Sequence, residues 1–230
     1  MAMTSEQTDR LDYQQQSQQI MNEHIVEIQS KVASNPNCGI IQYNIGMAHL
    51  ARRDWRSAEL AFYKAVDNSP TLVEAYVQLG GIALHRGDLE SCLNFNRIAA
   101  QIRIRFAPAW GNIGYVYMQR GEISEAIKAL EKAISFDSRF VQALATLGSA
   151  YLAKGDPVAC INVCRCAVET EPQFGPAWNN MGLAYLEQGD SVNALECLDK
   201  AVATGFEVSP EVLAEAAQCC SRHIAAMHTE

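Results

Sequence analysis

The fold is decided by residues 175–208, which read GPAWNNMGLAYLEQGDSVNALECLDKAVATGFEV. Two apolar stripes in this stretch have the spacing of one helix face, and Gly189-Asp190 separates them. The stripes comprise Trp178, Met181, Gly182 and Tyr185, and then Ala194, Leu198 and Ala201. The stretch therefore predicts two helices joined by a tight turn, with the glycine as the C-cap of the first helix in a positive-φ conformation.

The same pattern recurs at a constant interval along most of the chain. Its markers are a glycine in the first helix, a small residue early in the second helix and an alanine further along it. They are Gly46, Gly80, Gly114, Gly148 and Gly182; Ala58, Cys92, Ala126, Cys160 and Ala194; and Ala65, Ala99, Ala133, Ala167 and Ala201. A turn glycine follows in four of the five units, at Gly87, Gly121, Gly155 and Gly189, and Arg53 replaces it in the first unit. Small residues at these positions permit close helix packing. A single helix pair could not bury its apolar stripes, so we expect the pairs to stack in series.

These markers resemble the tetratricopeptide repeat (TPR) family, in which one repeat is about 34 residues long. The resemblance covers residues 39–208, as repeats 39–72, 73–106, 107–140, 141–174 and 175–208. It implies an all-α TPR solenoid, a right-handed superhelix of five helix–turn–helix repeats. Residues 1–38 are expected to form a polar arm and an N-terminal helix, and residues 209–230 a C-terminal capping helix, with no separate domains.

Three positions depart from the family pattern. His49 stands where a tyrosine is usual, Asn96 where a large apolar residue is usual, and Ile104 where a proline usually ends the second helix. Without that proline, repeat 2 could extend its last helix or present Arg103 and Arg105 to a partner. A solvated helix end is the alternative.

The two ends of the chain differ in character. Met21, Ile25, Ile28 and Val32 form a short apolar stripe that we expect to pack on repeat 1, whereas residues 13–19 are almost uniformly polar. That polar segment is either a frayed helix or disordered, and its functional interpretation is an arm that docks on a partner or on another copy of the chain. Near the other end, Ser209-Pro210 is a helix start signal, and an apolar stripe from Val212 to Met227 predicts the closing helix.

Composition narrows the function classes. Hydrophobic residues make up 49% of the chain, and the net charge is −8. An acidic chain argues against a nucleic-acid partner, because phosphate contacts need a basic surface. No apolar run is long enough to span a membrane, and no signal peptide is recognisable, so we expect a cytoplasmic protein.

Catalytic and cofactor motifs are missing from the sequence. It contains no phosphate-binding loop, nucleophile elbow or metalloprotease helix, so we predict neither an enzyme nor a bound cofactor. The best metal or redox candidates are Cys160 and Cys164, with Cys166 nearby, and Cys219 and His223 on the closing helix, with Cys197 on the helix before it. However, Cys160 and Cys164 occupy the positions of Ala126 and Leu130, so buried packing is the favoured interpretation. Most of the eight cysteines are expected to be reduced thiols that act as small apolar residues.

The resemblance also implies which residues face the binding groove. In this family the first helices line the inner surface, and the position two residues before each glycine faces inward. Here that row is Asn44, Gln78, Asn112, Thr146 and Asn180. Carboxamides both donate and accept hydrogen bonds, which suits an extended peptide backbone. The row is interpreted either as a peptide-binding ladder near the surface of the groove or as ordinary repeat consensus.

Two further inward rows predict a neutral groove. An apolar row comprises Leu50, Leu84, Met118, Leu152 and Leu186, and Tyr115 lies in the row beside it. Part of the apolar row could instead pack between neighbouring helices. The family's basic clamp for C-terminal carboxylates is absent, because its positions carry no lysine or arginine.

These patterns favour a non-catalytic scaffold that holds a segment of a protein or peptide partner in its groove. The alternative is a structural subunit or assembly factor that uses its outer face and its N-terminal arm.

Overall fold

The structure, a computed structural model, describes residues 38–227, which form eleven α-helices and no strand. The helices are α1 (Gly39–Ala51), α2 (Trp55–Asn68), α3 (Val73–His85), α4 (Leu89–Ile102), α5 (Ala107–Gln119), α6 (Ile123–Phe136), α7 (Val141–Lys154), α8 (Pro157–Thr170), α9 (Gly175–Glu187), α10 (Ser191–Ala203) and α11 (Pro210–Met227). The all-α class and the five helix pairs are as predicted. The chain divides into two compact units, Met1–Arg103 and Ile104–Glu230. The expected N-terminal helix and polar arm lie outside the described residues.

Each repeat glycine packs against one side chain on the second helix of its own repeat. The pairs are Gly46 with Phe62, Gly80 with Asn96, Gly114 with Leu130, Gly148 with Cys164, and Gly182 with Leu198. A Cβ atom at any of these glycines would lie closer to that side chain than 3.0 Å, the limit that real Cβ contacts observe. The glycine therefore sets how closely the two helices of a repeat can approach.

The turn inside each repeat uses a left-handed residue, as predicted. Gly87, Gly121, Gly155 and Gly189 have φ values between 74° and 79°. Arg53 occupies the same position in repeat 1 with a φ of 58°. This conformation is unfavourable for a residue with a Cβ atom, so repeat 1 carries local strain that the other repeats avoid.

An aspartate caps most of the second helices. Asp54, Asp88, Asp156 and Asp190 each accept a hydrogen bond from the backbone N–H three residues later, at 2.9–3.2 Å. In repeat 3, Glu122 holds the N-cap position and its side chain makes no capping hydrogen bond. The longer glutamate side chain is a poor N-cap, so α6 begins without this stabilisation.

The core of the N-terminal unit lies between α1, α2, α3 and α4. Phe62, Leu79 and Ile82 are almost completely buried there. Asn96, the polar departure noted in the sequence, is also fully buried. Its Nδ2 donates to the Cys92 carbonyl oxygen at 2.8 Å, so the helix itself satisfies this donor. His49, the other departure in this unit, has its Nδ1 3.4 Å from Asp54 Oδ2.

Repeat 2 ends as the other repeats do, so the extension of its last helix, one of the alternatives left open by Ile104, is wrong. Helix α4 stops at Ile102 and does not extend, because Arg103 adopts an extended conformation with φ −129° and ψ 94°. The Arg103 guanidinium donates to Glu74 Oε1 at 2.7 Å. Arg105 lies 5.8 Å from the centre of the Phe136 ring. Both arginines thus have contacts within their own unit.

The core of the C-terminal unit continues through α5 to α11. Leu130, Leu147 and Leu198 are buried in it. Two tryptophans bind the chain segment just before their own helix. Trp110 Nε1 donates to the Ile104 carbonyl oxygen (2.8 Å), and Trp178 Nε1 donates to that of Pro172 (2.9 Å).

The closing helix α11 covers the last repeat. Val212 and Leu213 pack against a cluster that contains Leu198 and Ala201, and Ala216 is fully buried in that cluster. Helix α11 thereby covers the apolar face of α10, which a following repeat would otherwise cover.

Candidate functional site

The predicted inward row lies on the first helices of the repeats, but its five members have different surroundings. Asn44 is exposed on α1, and Gln78, Asn112 and Thr146 are partly buried on α3, α5 and α7. Asn180 is buried on α9, with 8% of its surface exposed. Asn44 and Gln78 belong to the N-terminal unit, and the other three belong to the C-terminal unit.

Asn180 serves the packing of two repeats. Its Nδ2 donates to the Ala145 carbonyl oxygen and to Ser149 Oγ, both at 2.9 Å and both on α7. The sequence placed this asparagine near the surface of a groove, and the structure corrects that placement. Its amide nitrogen is used by these internal bonds, so Asn180 holds repeat 5 on repeat 4.

Thr146, Gln78 and Asn112 also have internal partners. Thr146 Oγ1 donates to the Gln142 carbonyl oxygen at 2.7 Å, within its own helix. The interaction of the Gln78 side chain with the Tyr43 hydroxyl lowers the pKa of Tyr43. The pKa of Tyr43 is nevertheless raised, chiefly because the phenol is buried and also because the Glu74 carboxylate lies near it. Asn44 is the most exposed carboxamide of the row.

The apolar row is half-buried between neighbouring helices. Met118 and Leu152 pack against the cores of repeats 3 to 5, and Leu186 packs beside Val212 and Leu213 of α11. Leu50 packs on the core of repeat 1, and Leu84 is partly buried. The row thus supplies packing and a partly exposed apolar floor at the same time.

Tyr115 is the most accessible of the predicted residues in the C-terminal unit. It follows Asn112 by three residues on α5 and precedes Met118 by three, so the three side chains share one stripe. Tyr115 retains 39% of its surface exposure.

Charge is almost absent from the first helices of the C-terminal unit. Helix α5 contains no charged residue. Helices α7 and α9 each contain one, Lys154 and Glu187, which is the last residue of its helix in both cases. The surface that these helices present is therefore neutral and of mixed apolar and amide character.

The buried thiols are packing residues. Cys160 and Cys164 are completely buried, as predicted, with their Sγ atoms 3.9 Å apart. The contact with Cys160 and the burial raise the pKa of the Cys164 thiol, so this thiol is protonated and unreactive at neutral pH. Among residues 38–227, no group of three His, Cys, Asp or Glu side chains is arranged to hold a metal ion. No helix in that range has the length and apolarity needed to cross a membrane.

Two features of the site region were missed in the sequence, namely the hydrogen bonds of Asn180 to α7 and the aspartate caps. The caps had a signal, because Asp54, Asp88, Asp156 and Asp190 share the repeat register. The Asn180 contacts had none, because they depend on how α9 lies against α7.

Comparison with known proteins supports the repeat assignment. Family models of the tetratricopeptide repeat match residues 43–91, 114–155 and 175–203, which together make up about half of the chain. FK506-binding protein 5 of Rhizopus delemar is 38% identical over 64 residues, which are 28% of this chain and 17% of that protein.

Solved structures show the same fold. MamA superposes with a TM-score of 0.60 at 24% identity, covering 70% of this chain and 94% of its own. YrrB, described as a TPR protein with an unusual peptide-binding site, superposes with a TM-score of 0.63 at 17% identity, covering 83% of this chain and 97% of its own. The constant repeat register, the helix pairs, the three family matches and these superpositions lead to one conclusion: this chain belongs to the tetratricopeptide repeat family.

Proposed function

We propose that this chain is a non-catalytic binding protein whose C-terminal unit holds a segment of a partner protein against α5, α7 and α9. The observation that carries the proposal is the neutral stripe of Asn112, Tyr115 and Met118 on α5, with Tyr115 39% exposed. An exposed tyrosine beside an amide and a thioether is typical of residues that contribute to protein interfaces. YrrB, a TPR protein with an unusual peptide-binding site, supports the proposal by analogy of fold.

The proposed surface favours a segment without charge. Lys154, the last residue of α7, is the single cation on helices α5, α7 and α9, so these helices have no cation in their interior for a terminal carboxylate. Apolar side chains of the partner would cover Tyr115 and Met118, while Asn112 would bind the backbone. Each hydrogen bond would contribute about 1 kcal/mol, because water competes for the same groups.

The proposal also places the chain in the cytoplasm and excludes nucleic acid from its partners. Cys92 and Cys160 are buried at positions where repeats 1, 3 and 5 have alanine. Their role as small apolar residues favours a reducing compartment. The net charge of −8 disfavours phosphate backbones.

A displayed library of random 12-residue peptides, selected on the full-length protein, tests the proposal. Selected peptides should be apolar and uncharged, and Tyr115→Ala should weaken their binding about tenfold, as for a central interface tyrosine. The affinity should change less than about twofold between low and high salt, because no ion pair is screened.

Val158→Ala is the control, since Val158 is 59% exposed but lies on α8, a helix outside the proposed site. It should leave the binding of these peptides unchanged. Equal affinities of the parent and Tyr115→Ala would refute the proposed site. Gly114→Leu serves as the reference for lost structure, because its side chain would collide with Leu130.

A further inference from the structure

The second helices of repeats 1 and 2 expose large apolar side chains. On α2, Leu60 is 58% exposed and Tyr63 is 40% exposed, and on α4, Ile98 is 37% exposed and Ile102 is 40% exposed. Single exposed apolar residues are common on proteins, but a cluster of them marks an interaction surface. These four lie on helices that the proposed peptide site does not use.

In the other repeats, three of these four positions carry polar side chains or, once, a cysteine. The position of Leu60 holds Asn94, Lys128, Asn162 and Glu196 in repeats 2 to 5; that of Tyr63 holds Arg97, Glu131, Arg165 and Asp199; and that of Ile98 holds Lys64, Lys132, Cys166 and Lys200 in the other repeats. All of these residues are exposed. Solvent therefore usually contacts the positions of Leu60, Tyr63 and Ile98, and packing within the repeat does not require apolar side chains there.

The apolar residues of α2 and α4 form one surface. The rings of Tyr63 and Phe95 meet edge to face, with centroids 6.2 Å apart, and this contact joins the two helices. Leu60 precedes Tyr63 by three residues, and Ile98 and Ile102 follow Phe95 by three and seven, so each shares a helix face with one ring. We call these five residues the α2/α4 apolar surface.

Basic side chains flank this surface. Arg56 and Lys64 are exposed one turn before and one turn after Leu60 on α2. Nearby, Arg86 donates two hydrogen bonds of 2.7 Å to the Glu59 carboxylate, which neutralises that acid. One exposed acidic residue, Asp67, lies on the same helix one turn after Tyr63.

The charge of this region differs from that of the whole chain. Repeats 1 and 2 contain eight Lys or Arg residues and six Asp or Glu residues, whereas the whole chain has 18 and 26. The region that bears the apolar surface is thus basic within an acidic protein, and electrostatic complementarity favours an acidic partner.

We propose that the α2/α4 apolar surface docks an amphipathic helix of a partner protein, with acidic residues flanking the apolar face of that helix. A helix presents apolar side chains at i, i+3, i+4 and i+7, which spans about 10 Å along its axis. The run from Phe95 to Ile102 covers the same interval on α4. Glutamates or aspartates beside the apolar face would meet Arg56 and Lys64.

The test variant gives this surface two of the polar side chains that repeat 3 carries at the equivalent positions. Leu60→Lys/Ile98→Lys introduces the residues that repeat 3 carries at the same positions, Lys128 and Lys132, so the helices should tolerate both changes. The matched control is Val158→Lys/Val192→Lys, which replaces two valines that are 59% and 48% exposed on α8 and α10. Both variants add the same charge to exposed helix positions.

The probe is a displayed library of 18-residue helices with an invariant leucine face and randomised Glu, Lys, Gln and Ser flanks, selected on the full-length protein. We expect enrichment of acidic flanks and at least tenfold weaker binding to Leu60→Lys/Ile98→Lys than to the parent or the control. The added lysines would by charge alone attract these peptides, so a loss would identify the apolar contact. High salt should weaken binding to the parent. Basic flanks, no enrichment, or unchanged binding to the variant would overturn the proposal.

A photo-cross-linking experiment distinguishes a partner helix from the two other candidate occupants of the surface, residues 1–37 of the same chain and a second copy of the chain. A benzophenone amino acid in place of Lys64 should cross-link to the selected peptide. When the peptide is omitted, this amino acid should give no cross-link within the chain or between two chains. A cross-link to residues 1–37 of the same chain would assign the surface to that segment, and one between two chains to a second copy. Either product would overturn the proposal of a partner helix.

Discussion

At the scale of single residues, one repeat position takes different roles along the chain. Asn44 and Asn180 are equivalent in the repeat register, yet the first is exposed and the second is buried with two hydrogen bonds to α7. The difference arises because Ser149 and the Ala145 carbonyl group lie within reach of Asn180. Equivalence in a repeat register therefore gives the location of a side chain but not its partners.

Asn180→Ala should lower the free energy of unfolding by about 1–2 kcal/mol, because it removes two internal hydrogen bonds and leaves their acceptors without this donor. Urea denaturation measures this change. Asn44→Ala is the matched control and should cost no more than about 0.5 kcal/mol, as is usual for surface substitutions. Equal costs for the two variants would contradict the assigned role of Asn180.

The buried thiol of Cys92 should make the protein less stable at alkaline pH. Burial raises the pKa of Cys92 from 9.0 to about 11. Between these values the unfolded chain has lost a proton that the folded chain retains, so stability is complete below pH 9 and falls as the pH rises toward 11. Cys92→Ala, which introduces the residue of repeats 1, 3 and 5, should reduce this fall.

Denaturation curves between pH 7.5 and 10.5 measure the effect relative to the parent. Cys166→Ala changes an exposed thiol and should keep the pH dependence of the parent. The interpretation fails if both variants lose stability with pH as steeply as the parent does.

At the scale of the helix, the repeats differ in how the N-terminus of their second helix is stabilised. Four of these helices have an aspartate cap, and α6 has Glu122 in its place. The pKa values of Asp54 and Asp88 are lowered, first by the side chains and then by the backbone N–H groups of Ser57 and Ser91 that donate to them. These caps are therefore present as carboxylates across the neutral range and weaken only when acid protonates them.

Glu122→Asp should stabilise the protein by roughly 0.5–1 kcal/mol, since the shorter carboxylate can accept the N–H of Glu125 as the other caps accept theirs. Thermal melting measures the gain. Glu169→Asp, the same change at an exposed position in the last turn of α8, should give no gain, because aspartate is a poorer helix former than glutamate. A gain in both variants would show that the cap is not the cause.

The helices could be predicted wherever the residues that determine them recur locally in the sequence. Glycines, alanines and turn residues at a constant interval encode the helix pairs locally, and the buried positions of Cys160 and Cys164 followed from their equivalence to Ala126 and Leu130. The end of α4 at Ile102 did not follow, because the missing proline removed the signal and the chain turns without it. The α2/α4 apolar surface was overlooked, although comparing exposed positions between repeats would have found it.

At the scale of the whole molecule, each repeat buries one face only when a neighbour covers it. Helix α11 has this task for repeat 5, through Val212, Leu213 and Ala216. Its removal leaves Leu198 and the adjacent alanines open to water. The stability of the C-terminal unit therefore depends on a helix outside the five repeats.

Removal of residues 210–230 should lower the melting temperature, increase dye binding to apolar surface and promote aggregation. Leu213→Lys should have a smaller effect in the same direction, because it puts a charge into the contact with α10. Glu215→Lys, on the exposed side of α11, is the matched control and should melt like the parent. A truncated protein as stable as the parent would disprove the covering role of α11.

The pairing of each repeat glycine with a side chain on the following helix has an evolutionary consequence. Both members of the pair lie in the same repeat, and the second member varies as Phe62, Asn96, Leu130, Cys164 and Leu198. A stretch of DNA that encodes one repeat therefore carries both halves of the contact, and its duplication copies a fitted pair. Gene duplication can lengthen such a chain without compensating mutations at this contact, while the outward-facing codons of the new copy are free to diverge.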